Sequence, residues 1–314
     1  MRRVGRDGAR ATARARLAEL IVTMSPGDRL PSVGDLQREF GVGTGTVSAA
    51  MGELQSRGAV EVDARQHRGS FLVGRDLGRL WEVMRWRPML GVLPLPGSLE
   101  FEGLASGLRS ELTRLGVPVA LIYAHGSTQR YEMVVTERAD FAVMSASASA
   151  FLSASFSPTR PATEVVIGLG PDSYYATDSV VVIAGSERDQ LPAHPRVGID
   201  SASYDHTQLT HSEFHEGEFV DVRYGLLPAA VSAGMVDVAV WHRTSLGIGI
   251  LDSRLTTWPL TQPAAQSLHG DLSHAVVVSL ATNSLARAAL ADVDPALVEQ
   301  TQRRVASGAA LPLF

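Results

Sequence analysis

The chain has 314 residues, a formal net charge of −5 and an ordinary globular mean hydropathy of +0.07. That length accommodates two or three domains, and apolar runs such as Val180–Ala184 are far too short to span a bilayer. Cysteine is absent, which excludes disulfides and thiolate metal sites, and all 28 basic residues are arginine, which excludes a Schiff-base lysine and a P-loop lysine.

The first segment, MRRVGRDGARATARARLAEL, is basic but has no apolar stretch before a cleavage site, so it does not read as a secretory signal and a cytoplasmic location is expected. Residues 1–75 hold twelve arginines against eight acids, a net of about +4, which leaves about −9 for the remainder. A basic head on an acidic body suits a head that approaches DNA and a body that avoids it.

A helix near Ala9 is followed by a compact set of signals. Ser32 with Asp35 three residues on is a capping-box start, Leu36 and Phe40 share a helical face, and Gly41 supplies the left-handed cap that ends the helix. Thr44-Gly45-Thr46 offers a fresh N-cap hydroxyl, and Val47, Met51 and Leu54 form the buried stripe of a second helix that Gly58 stops. Val60-Glu61-Val62 and Gly69–Val73 alternate as a hairpin, and its connection, Asp63 to Arg68, carries Arg65, His67 and Arg68. Arginines on a protruding turn suit phosphate oxygens or a narrow minor groove.

This segment resembles the GntR-type winged helix-turn-helix of bacterial repressors, through Leu30-Pro31-Ser32, Leu36, Phe40-Gly41-Val42, Thr46-Val47, Ala50, Leu54, Gly58 and the wing Gln66, Arg68-Gly69-Ser70-Phe71. The resemblance implies a DNA-binding head of residues 1–74 that contacts double-stranded DNA through Ser32, Thr44, Thr46, Ser48, Arg65, His67 and Arg68. The chain departs from the pattern at Gly43-Thr44 and Ser48-Ala49, where the family carries arginines that read guanine edges and phosphates. The absence of lysine also excludes the aminotransferase-like body that some GntR-type proteins carry.

Residues 75–88 read as a linker helix with Leu77, Leu80, Trp81 and Met84 on one face, ended by Pro88. It can pack within the chain or against a second subunit.

From Met89 the pattern alternates. Met89–Leu95 is a buried strand, Gly97-Ser98 opens a helix with Phe101, Leu104, Leu108, Leu112 and Leu115 on its face, and Val117–Tyr123 is a second strand. Ser127-Thr128 caps the next helix, and Asp140–Met144 is a third strand ending at Ser145. This order implies a parallel sheet with ligands beyond the carboxyl ends of its strands. Val165–Leu169 and Val180–Ala184 read as strands crossing between lobes. Pro195–Ile199, Glu218–Val222 and Val236–Val240, with a helix at Pro228–Gly234, repeat the first pattern, and His274–Leu280 is a return strand. The expected class is α/β: a winged helix-turn-helix plus a two-lobed body of residues 89–314, lobe I about 89–170 and 274–314, lobe II about 171–273.

The body is similar to type 2 periplasmic-binding-protein domains, the fold of LysR-type effector domains, and the whole combination resembles the YhfZ family of regulators through Gly91–Ser98, Glu102–Leu108 and Asp140–Ser145. This implies architecture and a regulatory role, and no ligand chemistry. In such a cleft the candidates are Gly97, Ser98, Ser127, Thr128 and Ser145 from one lobe and Ser201, Ser203, His242 and Arg243 from the other. Backbone donors, hydroxyls and one arginine suit a carboxylate or phosphate effector, although a serine at a helix start is often only a cap.

Enzyme signatures are thin. His206, His211, Glu213, His215, Glu216 and Glu218 cluster in HTQLTHSEFHEGE, yet the HExxH order is absent, so the segment reads as a solvated polar loop and not as a metal site. The expectation is a homodimeric transcriptional regulator, not an enzyme, without cofactor, metal or membrane association, whose partners are DNA and a small anion. The alternative is a small-molecule-binding protein or enzyme whose winged helix serves assembly.

Overall fold

The computed structural model describes residues 2–155, 161–176, 178–185, 190–243 and 255–313. They pack as two units: Met1–Met89 with Glu111–Ala120 and Asn283–Val293, and Leu90–Ser110 with Leu121–Thr282 and Asp294–Phe314.

The first unit contains α1 (Arg2–Val22), α2 (Val33–Phe40), α3 (Thr44–Ser56), the hairpin β1 (Val60–Arg65) and β2 (Gly69–Arg75), and α4 (Leu77–Met84). Its core is Leu17, Ile21, Leu36, Leu54, Leu72, Leu80 and Trp81, all fully buried. The Glu53 carboxylate ties α1 to α3 by ion pairs to Arg14 at 2.6 Å and Arg10 at 3.4 Å, and it also pairs with Arg57 at the end of its own helix at 3.7 Å. The hydrogen bond from Arg14 chiefly holds that carboxyl below the usual range.

The signals around α2 take the expected form: the Ser32 hydroxyl accepts from the Asp35 backbone N–H, Asp35 accepts from the Ser32 N–H, and Gly41 caps the end at φ 67°. Three details differ from the sequence reading. The N-cap of α3 is Gly43, with no side-chain bond, because Thr44 already has helical geometry as the first residue. The buried stripe of α3 is Val47, Ala50 and Leu54, with Met51 only half-buried. The wing strands run longer, so the tip shrinks to Gln66–Arg68, with His67 at φ 59°.

The second unit is built on β3 (Met89–Leu93), α5 (Leu99–Arg114), β4 (Val119–Tyr123), α6 (Ser127–Val135), β5 (Phe141–Ser145), α7 (Ala146–Ser155), β6 (Thr163–Gly168), β7 (Val180–Ala184), β8 (Arg196–Ile199), α8 (Tyr204–Glu213), β9 (Glu218–Asp221), α9 (Leu227–Ser232), β10 (Val238–His242), β11 (Thr256–Pro259), α10 (Pro263–Leu272), β12 (Ala275–Leu280) and α12 (Pro295–Ala306); α11 (Ser284–Ala291) falls in the first unit. Two five-stranded sheets have the orders β4-β3-β5-β12-β6 and β9-β8-β10-β7-β11. β3 and β5 are parallel and β12 is antiparallel to both β5 and β6, while β8 is parallel to β9 and β10 and β7 is antiparallel to β10 and β11. Both sheets therefore have one topology, and each takes its antiparallel fourth strand from a segment beside the other in sequence. β5, β7, β10 and β12 are buried along their whole length, which explains why they read as continuous apolar runs.

β11 carries the mixed segment Thr-Thr-Trp-Pro and has no sequence counterpart in the expectation, and β10 begins two residues later than expected. The polar segment from His206 is corrected too. Most of it is α8, in which His206 is buried and the Glu213 carboxylate accepts from the backbone N–H groups of Thr261 and Gln262 ahead of α10. Among the described residues no three histidines or carboxylates converge to hold a metal, and no helix is long and apolar enough to cross a membrane.

Gly91 faces the Phe141 ring across the β3–β5 pair, and a Cβ there would lie 2.2 Å from the ring. Gly91→Ala is expected to lower stability by about 1–3 kcal/mol in urea unfolding through overpacking. Adding Phe141→Leu should recover part of that stability; a double variant no better than the single one refutes the clash.

Candidate functional site

A cavity of about 300 Å³ lies in the second unit between the two sheets' loop ends. Three chain segments supply its polar wall: the β3–α5 turn with Gly97 and Ser98, the β4–α6 turn with His125 and Gly126, and the β8–α8 turn with Asp200 and Ser203. Arg130 of α6 also lines it.

Arg130 is 4 % exposed. It sits there because α6 buries the stripe Ser127, Arg130, Tyr131, Val134 and Val135. Its guanidinium donates to the Val143 carbonyl at 2.9 Å, the Ala124 carbonyl at 3.1 Å and the Tyr174 hydroxyl at 2.9 Å. A guanidinium has five N–H groups, so two remain beyond these three bonds. Among the described residues no carboxylate lies within ion-pair distance of it.

Six rings form the apolar wall: Phe101, Tyr174, Tyr175, Tyr224, Trp241 and His242. They pack on one another, with centroid separations of 4.9 Å for Phe101–Tyr174, 5.0 Å for Tyr174–Tyr175, 4.6 Å for Tyr175–His242 and 4.4 Å for the Tyr224–Trp241 stack. Burial pushes the Tyr174, Tyr175 and Tyr224 hydroxyls up, so all three are neutral donors and acceptors near neutrality. Burial drives His242 down to about 3. Its backbone N–H donates to the Tyr224 oxygen at 2.9 Å, and the Tyr224 hydroxyl lies 3.1 Å from Nδ1. With the hydroxyl donating to Nδ1, the neutral ring carries its proton on Nε2, which is buried without a partner among the described residues.

Several hydrogen bonds join the two sheets' loops beside this wall. His125 Nε2 lies 2.9 Å from an Asp200 oxygen, and Asp200 also accepts from the backbone N–H groups of Ala202 and Tyr224. The Ser127 hydroxyl accepts from the Tyr204 N–H at 3.3 Å, and the Ser145 hydroxyl donates to Asp205 at 2.6 Å. Gly126, at φ 71°, is backed so closely by Ala202 that a Cβ would lie 2.2 Å from its carbonyl oxygen. His206 accepts from the Asp200 N–H on Nδ1 and meets the Val240 carbonyl through Nε2, which fixes a neutral tautomer; burial brings it down to about 4.

Of the residues singled out from sequence, Gly97, Ser98, Ser203 and His242 line the cavity. Ser98 and Ser203 also accept from the N–H groups of Phe101 and His206 as helix caps. Ser127 and Ser145 are completely buried and consumed by the bonds to Tyr204 and Asp205, and Ser127 is the first residue of α6 rather than its cap. Thr128, Ser201 and Arg243 are exposed and are not among the lining residues. Arg243 follows the last residue of β10, and it is His242, not Arg243, that reaches the wall. The residues missed are Arg130, His125, Asp200 and the tyrosines. The signal for Arg130 was a charge on an otherwise apolar helical stripe.

In the winged helix, Thr44, Ser48, His67 and Arg68 are exposed, Thr46 is half-buried, and Ser32 is exposed but engaged with Asp35. Arg65 pairs with Asp63 at 2.8 Å and lies over the Phe71 ring at 4.5 Å. Ser32, Thr44, Thr46 and Ser48 belong to α2, α3 and their caps, while Arg65, His67 and Arg68 belong to the wing.

A winged helix-turn-helix joined to a body of two five-stranded sheets defines a DNA-binding regulator with a separate two-sheet domain. Residues 9–73 match the bacterial regulatory proteins of the gntR family, and residues 76–314 match the YhfZ C-terminal domain. The chain belongs to the YhfZ C-terminal domain family. It is 28% identical over 228 residues to YhfZ of Escherichia coli (strain K12), covering 72% of each chain. The crystal structure of YhfZ from Shigella flexneri matches with a TM-score of 0.55 at 26% identity, over 76% of this chain and 97% of that one. The amino acid ABC transporter substrate-binding protein AbpA from Streptococcus pneumoniae, bound to L-arginine, matches with a TM-score of 0.47 at 15% identity, over 71% and 94%. The gntR match points to a regulator rather than an enzyme.

Burial pushes the Asp205 carboxyl up to about 6, against the lowering effects of the Ser145 bond and the Arg130 charge. The unfolded chain ionises Asp205 first, so this group costs the folded state stability as pH rises from 3.8 to about 6, and the cost stays constant above that. Asp205→Asn should therefore be more stable than the parent at about pH 8, by up to ~3 kcal/mol, with the difference vanishing near pH 4. Thermal melts across this range check the sign; a variant less stable at pH 8 than at pH 4, relative to the parent, refutes it.

Proposed function

We propose that the chain is a transcriptional regulator, with a head of residues 1–74, a linker at 75–88 and a body of residues 89–314. The head binds double-stranded DNA as part of a homodimer, in the cytoplasm and without a cofactor, and the cavity binds a small anionic effector. One observation carries the effector reading: a buried arginine, Arg130, lines the cavity with two N–H groups to spare and no carboxylate within ion-pair distance among the described residues. Burying a cation is costly unless it is paired and hydrogen-bonded, so a carboxylate or phosphate group is the complement this cavity lacks. The body performs no catalysis on this reading.

Effector binding regulates only if the effector has different affinity for two states of the protein. A coupling of roughly 1–3 kcal/mol alters operator affinity by about 5–150-fold. On the DNA side, exposed Arg68 and His67 at the wing tip and the hydroxyls of Thr44 and Ser48 support contact with phosphates and groove edges.

Two variants separate the halves of the proposal. Arg65→Ala with Arg68→Ala should weaken DNA binding across all sequences and flatten its salt dependence by roughly 0.9 in the log–log slope for each phosphate no longer neutralised. Arg130→Met should retain DNA binding and abolish the response to effector. Fluorescence anisotropy on promoter fragments at two salt concentrations reads both. The second reading, a winged helix used for assembly, has one observation in its favour: α3 contains no arginine. It prevails if the intact protein binds no duplex at low salt while Arg68→Ala disrupts the oligomer in analytical ultracentrifugation.

A further inference from the structure

We propose that the cavity takes a small monocarboxylate carrying a planar aromatic ring. This deepens the effector-binding reading and rests on it.

The charges around the cavity decide the head group. Arg130 is the only arginine lining the cavity among the described residues, and its remaining capacity is two N–H groups. His125, which also lines the cavity, is held by Asp200 at 2.9 Å. Three carboxylates stand close: Asp200 on the cavity wall, Asp205, whose charge acts on both Arg130 and Tyr175, and Glu100, whose charge acts on Tyr224. A dianion such as phosphate would face one cation and three acids, whereas a single carboxylate matches the paired N–H geometry of a guanidinium and carries half the charge.

The body of the ligand follows from the rings. Their centroid spacings of 4.4 to 6.3 Å make a continuous wall. A cage for a quaternary ammonium needs rings set apart around the cation, and the cavity already holds a cation in Arg130. The polar tips of Tyr174 and Tyr224 are turned to Arg130 and His242, so the wall presents mainly ring faces and edges. Such surfaces favour offset or edge-on packing with another ring. The volume of about 300 Å³ equals on the order of ten water molecules at ~30 Å³ each, room for one six-membered ring with its carboxylate.

The test uses the full-length protein in isothermal titration with three probes: benzoate, propionate and inorganic phosphate. Benzoate is expected to bind at least tenfold more tightly than either of the others. Tyr175→Leu, with an unchanged melting profile in the absence of probe, should weaken benzoate about tenfold more than propionate. Arg130→Met should abolish uptake of benzoate, and because Arg130 also holds two carbonyls, the Tyr175 variant keeps the test decisive if that protein fails to fold. Phosphate or propionate binding as tightly as benzoate overturns the aromatic class and leaves the anionic-effector reading in place. A folded protein that takes up none of the three overturns both.

Discussion

The cavity wall of the second unit is organised around one buried charge. A guanidinium removed from water costs several kcal/mol unless its donors are met. The fold meets three of them at Arg130 with atoms from three places: the Val143 carbonyl on β5, the Ala124 carbonyl at the end of β4, and the Tyr174 hydroxyl between β6 and β7. These bonds set the start of α6 against the carboxyl ends of two strands, and they also bring the Tyr174-Tyr175 pair to the cavity. The aromatic wall and the cationic head site are thus one construction.

The two sheets are coupled at the same place. The chain passes from the first sheet to the second after β6 and returns at β12, so these crossings connect two copies of one topology. Beside them, His125–Asp200, Ser127–Tyr204 and Ser145–Asp205 hold the loops of the two sheets together, and Phe151 stacks on Tyr204 at 4.5 Å. Each hydrogen bond contributes roughly 0.5–1.5 kcal/mol, more where a charge takes part. The set is therefore comparable with the ~5.5 kcal/mol needed to invert a two-state population from 1:99 to 99:1. Asp205 opposes it, because its carboxylate is buried with one oxygen unpartnered among the described residues. Interactions of this size are within what the proposed effector would have to bias.

Much of the fold was legible from sequence because buried strands and helix caps leave local marks. The runs at Phe141–Ser145, Val180–Ala184 and Ala275–Leu280 are apolar on both faces, and the Ser32–Asp35 pair and Gly41 bound a helix by local bonding alone. β11 left no such mark, since Thr256–Pro259 alternates between half-buried and exposed at a sheet edge. The cavity was legible only in part. Gly97, Ser98, Ser203 and His242 follow from the rule that ligands sit where strands end and helices begin. Arg130 lies a full turn inside α6, and Tyr174 and Tyr175 lie in an irregular segment, so only tertiary packing brings them to the site. Arg243 misled for a related reason: consecutive residues at a strand end do not share a face, and the wall took His242.

In the winged helix, too, neighbours set the chemistry. Small residues at Gly43, Thr44, Gly45 and Ser48 leave the start of α3 without long cationic side chains, so on the proposed reading charge-based contact falls to the wing. There Arg65 is already committed to Asp63 and to the face of Phe71, while Arg68 and His67 stand exposed at a tip held by left-handed residues, His67 at φ 59° and Gly69 at φ 93°. A rigid tip gives up less conformational freedom on docking than a mobile one, so an exposed arginine there retains more of its interaction energy. Phosphate contacts position a protein on the duplex, and base edges specify the site. If the head binds DNA as proposed, it draws its affinity from the wing and is left with hydroxyls and backbone on α3 for discrimination, so modest sequence preference is the expected outcome.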